Sequence, residues 1–117
     1  MKSARTYVDY LRDILDAARK AEEFTRDVSF DDFKANDEKI FAVVRALEIV
    51  GEAVKKIPSA VRRRYPTIPW RDMAGMRDKL IHHYFGVDVA VVWRTVKDGL
   101  PPIHSAIRGL LADLERQ

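Results

Sequence analysis

Apolar residues in this chain recur every three or four positions over long stretches, and no credible run of strict alternation occurs. Ile40, Val43, Val44, Leu47, Val50, Val54 and Ile57 form one such stripe, and Tyr7, Leu11, Ile14, Leu15, Ala18, Ala21 and Phe24 form another. That spacing matches the helical turn, and a helix gathers such side chains on one face while charged residues take the other. The pattern predicts helices over residues 4–26 and about 37–56. Pro58 ends the second, because proline lacks the N–H that would continue the ladder. Ser29, followed by Asp31 and Asp32, marks a further helix start, with an acceptor side chain and then early carboxylates.

Beyond Pro58, residues 59–65 make one short basic turn before Pro66 and Pro69 force an extended connection. A helix begins near Trp70 or Arg71 and stops by Gly86. Asp88 caps the next, which carries Val89, Val92, Trp93 and Val96. Gly99-Leu100-Pro101-Pro102 interrupts it, and a last helix carries Ile103, Ile107, Leu110, Leu111 and Leu114. The 117 residues suffice for one core and are too few for two. The expected fold is therefore all-α, a single-domain bundle of four or five helices over residues 1–117.

The chain has 21 basic and 18 acidic residues and no cysteine. Disulfide and thiolate chemistry are thereby excluded, and the small net charge identifies no partner by itself. Its distribution says more. Lys55, Lys56, Arg62, Arg63, Arg64, Arg71, Arg77 and Lys79 make the middle basic, while most carboxylates lie before Glu52. No apolar run approaches the ~20 residues needed to span a bilayer. The charged N-terminus lacks the apolar centre of a signal peptide, so a cytoplasmic protein with no membrane partner is expected.

Within the basic region stands Arg77-Asp78-Lys79-Leu80-Ile81-His82-His83-Tyr84. Arginine offers a fixed fork of donors for phosphate oxygens, and histidine moves protons near neutral pH. On an ideal helix Arg77 and Tyr84 fall within roughly 20° of each other, whereas His82 lies roughly 140° around from Arg77. One regular helix does not aim all three at a point. Either the helix distorts before Gly86 or a second copy of the chain completes the site. A two-fold dimer, placing Arg of one protomer against His of the other, is the favoured solution. Taken singly, each group has a plainer role: Arg77 in a surface ion pair with Asp72 or Asp78, a histidine as a structural hydrogen-bonding residue, Tyr84 as core with its hydroxyl at the rim. The adjacent histidines lack metal-ligand spacing, and no Gly-rich phosphate loop occurs, so neither metal nor cofactor is expected. Gly51-Glu52-Ala53 suits close helix packing. Glu48, near the apolar stripe, calls for a cationic partner such as an arginine of the motif.

Arg77, four residues, His82, one residue and Tyr84 resemble the Arg-x4-His-x-Tyr signature of HEPN-domain proteins, in particular the HepT-like ribonuclease toxins of toxin–antitoxin pairs. The blocks Arg45–Ala53, Ile68–Asp78 and Tyr84–Asp88 resemble that family as well, so the similarity covers nearly the whole chain. The resemblance implies a helical homodimer with metal-independent endoribonuclease activity and RNA as substrate. It assigns proton transfer to His82 and phosphate binding to Arg77, with Asp78 orienting one of them. Tyr84 becomes the residue that a cognate nucleotidyltransferase antitoxin modifies with AMP. His83 stands outside the signature, and Lys79, His83 and Arg71 are expected only as RNA contacts. Two other classes compete: a non-catalytic helical module that binds nucleotides or a nucleotidyltransferase, and a purely structural dimerisation bundle.

Overall fold

The computed structural model describes residues 6–81 and 88–116, with the side chains at 77 and 79–81 outside that description. Among these residues every regular element is helical and no strand occurs. Helix α1 (Tyr7–Phe24) starts where the Thr6 N–H donates to the Asp9 carboxylate at 3.0 Å. Its inward stripe of Leu11, Ile14, Ala17, Ala18 and Ala21 is buried, as the three-and-four spacing requires. Helix α2 (Phe30–Lys34) is a short turn whose N-cap, Ser29, accepts from the Asp32 N–H at 3.1 Å. Helix α3 (Asp37–Val54) is capped by Asn36, which accepts from the Lys39 N–H at 3.0 Å. Helix α4 (Ser59–Arg64) is the short basic turn, and α5 (Trp70–Ile81) carries the first residues of the motif.

Helix α3 is the central element, packing against both α1 and α5, while the last helix packs against α1. Its buried face includes Val43, Ala46, Leu47, Val50, Gly51, Ala53 and Val54. Gly51 and Ala53 lie on this buried face, and Glu52 between them is exposed. The ends fall inside the expected limits: α1 occupies Tyr7–Phe24 of 4–26, and α3 stops at Val54 rather than 56. The four longer helices α1, α3, α5 and α7 (Leu100–Glu115) are the expected bundle, joined by short ones.

One expectation is overturned. Gly99-Leu100-Pro101-Pro102 does not interrupt the chain. Helix α6 (Val89–Arg94) runs through a π-helical turn (Thr95–Gly99) directly into α7, and Arg94, Gly99 and Leu100 all keep right-handed helical dihedrals. A proline inside a helix removes one i→i−4 bond, and its ring crowds the carbonyl four residues back. The wider π-turn, in which the Leu100 N–H reaches the Thr95 carbonyl, absorbs that misfit before the two prolines enter the first turn of α7. No helix among the described residues is long and apolar enough to cross a membrane.

Candidate active site

The entry to the motif helix is held at several points. Ile68, Trp70 and Met73 are buried, and Met73 is wholly inaccessible. The Trp70 indole N–H donates to the Tyr65 carbonyl at 3.0 Å, and the Met73 N–H donates to the Pro69 carbonyl at 3.0 Å. An indole buried with its N–H satisfied fixes both position and rotation, so α5 leaves this corner in one direction. Asp72 lies in its first turn, where a carboxylate suits the positive helix end. On the far side of the motif, Asp88 caps α6 by accepting from the Ala90 and Val91 N–H groups at 3.1 and 3.2 Å. Both flanks of the motif are thus built on ordered helix ends.

Of the candidate residues, Arg71 and Asp78 are exposed on α5. Seven residues apart, they share one face about 10 Å apart along the axis. Arg77 and Lys79 belong to the same helix, with their side chains outside the description. His82, His83 and Tyr84 lie outside the described residues. The cation described beside Glu48 comes from its own helix. Arg45, one turn earlier, lies 3.7 Å from Glu48 and 3.7 Å from Glu52. That bridging answers the need of a carboxylate that is 28% exposed.

The sequence reading missed a cleft on the flank of the motif helix. Its volume is about 390 Å³, within the range of small-ligand sites. Asp72 and Met76, one turn apart on α5, form one wall; Arg94, Thr95 and Asp98 of the α6–π-turn segment face them, over Leu47 and Ile103. The Thr95 hydroxyl donates to the Val91 carbonyl at 2.8 Å, so toward the cleft it can only accept. The cleft lining thus combines apolar side chains with one cation and two carboxylates. The spacing of Asp72 to Met76 and of Arg94 to Asp98, each one helical turn, was readable as a shared face on each helix. That the two faces meet across a gap was not.

The comparisons with known proteins agree with this architecture. A family model described as Ribonuclease HepT-like matches residues 14–110, a span that includes α5, the motif and α6. A Thermococcus cleftensis protein named "Probable ribonuclease HepT" is 57% identical over 85% of this chain and 90% of its own length. A Methanocaldococcus jannaschii protein named "Putative RNase" is 46% identical over 92% of this chain and 93% of its own length. A protein of the same description from Caldanaerobacter subterraneus is 39% identical over 95% of this chain and 96% of its own length. No solved structure gives a significant match. The chain is a helical bundle carrying a basic motif helix, and it belongs to the HepT-like ribonuclease family.

Proposed function

We propose that this protein is a metal-independent endoribonuclease, a single HEPN-like domain over residues 1–117 that acts as the toxin of a toxin–antitoxin pair. The observation that carries the reading is the family match over residues 14–110, within which Arg77-x4-His82-x-Tyr84 stands intact. The working unit is a homodimer, and Arg77 of one protomer meets His82 of the other across the two-fold axis. In the reaction the ribose 2′-oxygen attacks the adjacent phosphorus and the bond to the 5′-oxygen breaks. His82 moves a proton at one of those two oxygens. Arg77 binds the non-bridging oxygens and offsets the charge that builds on them. Asp78 orients one of this pair, and Arg71, Lys79 and His83 contact the RNA backbone. A cognate nucleotidyltransferase adds AMP to Tyr84, which places bulk and negative charge across the RNA path.

The test compares purified wild type with His82→Ala on RNA in the presence of a chelator. Wild type should cut and the variant should lose at least ~100-fold, the usual contribution of a general acid or base. Equal background cleavage by both leaves the non-catalytic binding module as the reading. Regulation has its own readout. Co-expression with the nucleotidyltransferase should add one or more AMP masses, mapped to Tyr84, and attachment elsewhere overturns that assignment.

A further inference from the structure

From Ala53 to Arg71 the chain carries Lys55, Lys56, Arg62, Arg63, Arg64 and Arg71 and not one carboxylate, leaving 15 basic and 18 acidic residues elsewhere. The positive charge of the protein is therefore concentrated in this corner. The fold presents it outward. Val54, Ile57, Val61, Ile68 and Trp70 are all buried, pinning the α3–α4–α5 corner to the core by its inner side. Lys55, Lys56, Arg63, Arg64 and Arg71 are exposed on the outer side. Among the described residues none of these cations makes an ion pair. Lys56 borders a depression that also holds Asp13 and Glu52, so it is the member most shared with acidic neighbours. Arg64 lies over the Tyr65 ring at 5.9 Å from its centroid. Arg62 is half-buried, and its Nε is buried with no hydrogen-bond partner among the described residues.

Capping of α4 does not account for three successive arginines. A cation near a helix C-terminus is favourable, but neighbours in sequence point about 100° apart and only one can lie over the last carbonyls. A protein partner fits poorly too. Stable protein interfaces have an apolar centre, and the corner offers no exposed large hydrophobic side chain. Clustered arginines beside a half-buried tyrosine instead match a phosphate backbone, with a stacked guanidinium and ring for an unpaired base.

We propose that this corner, centred on Lys55, Arg62, Arg63 and Arg64, is an RNA-anchoring site separate from the cleavage motif. It rests on the ribonuclease reading for the identity of the polyanion. It holds backbone phosphates of single-stranded RNA several nucleotides from the cut and so sets a minimum substrate length.

Binding is measured by fluorescence anisotropy of a labelled single-stranded RNA of about 20 nucleotides, in His82→Ala protein, across a salt series. That background makes the result independent of whether the wild type cuts, which the cleavage comparison above decides. Each phosphate contact contributes about 0.7 to the slope of log affinity against log salt. Arg63→Gln with Arg64→Gln should lower the slope by about 1.4 and weaken binding roughly tenfold near physiological salt. Arg63→Lys with Arg64→Lys should keep the slope, because the charge remains. The control pair Arg19→Gln with Lys20→Gln, whose side chains lie at 2.9 and 3.1 Å from Asp16, should leave it unaltered. An unchanged slope in the glutamine pair overturns the site, as does an equal drop in the control pair. Polyglutamate competing as well as polyuridylate at equal charge also overturns it, in favour of an acidic protein partner.

Discussion

Asp27 sits at φ 58°, in the left-handed region, where the chain reverses between α1 and α2. A side chain with a β-carbon pays about 1–2 kcal/mol there, and Asp is among the few that tolerate it. Asp27→Gly should therefore raise stability by up to about 1 kcal/mol, and Asp27→Val should lower it by more, both read from denaturant midpoints. Asp16 shows the residue scale in its electrostatic form. Its hydrogen bond to Lys20, then its attraction to that charge and to Arg19, holds its carboxyl below the ordinary range. A carboxylate lowered on folding stabilises above its unfolded pKa, and the contribution disappears as pH falls through the folded value. Asp16 is 45% exposed in its side chain, so the effect is a few tenths of a kcal/mol. Asp16→Asn should lower stability by that amount at neutral pH and by nothing near pH 2.

At the scale of elements, most caps and stripes were legible because their causes are local. Ser29 and Asp88 start helices through bonds to residues two or three positions on, and Pro58 stops one by lacking an N–H, so sequence spacing suffices. The helices carrying Val89 and Ile103 are where their stripes place them, but the Gly and Pro signals at 99–102 suggest a break that the π-turn removes. Another cap is invisible to spacing. Helix α1 has no basic residue in its last turn, yet Lys39 Nζ donates to the Phe24 carbonyl at 3.1 Å and Lys97 Nζ to the Thr25 carbonyl at 2.7 Å. Cations from two other elements thus satisfy its negative end. Lys97→Met should cost about 1 kcal/mol, measured by urea unfolding. The motif helix has the larger dependence. Met73→Ala, at a site with no accessible surface, should cost about 2–5 kcal/mol.

At the scale of the whole molecule, the proposal that two chains share the site has a distinctive test. Arg77→Ala and His82→Ala should each be inactive alone. If Arg of one protomer works with His of the other, a mixed dimer regains one intact site and keeps one doubly broken site. Equal mixing and exchange should then restore about a quarter of wild-type activity, whereas a site within one chain restores none. The candidate residues were legible as types at a stated spacing, but a roughly 140° separation says what one ideal helix cannot do without saying what would bring them together.

Periodicity and turn residues determined by themselves that this chain is helical and where α1 and α3 lie, and they marked the segment in which the candidate residues stand. They act through neighbours within a turn or two, and the sequence records such neighbours directly. The tertiary structure alone decided that Lys97 caps α1 and that α5 and the π-turn flank a cleft. The corner of arginines likewise became an outward face only once Val61 and Ile57 were buried beneath it. Those outcomes depend on which helix faces pack together, a choice settled by burying all the apolar stripes at once.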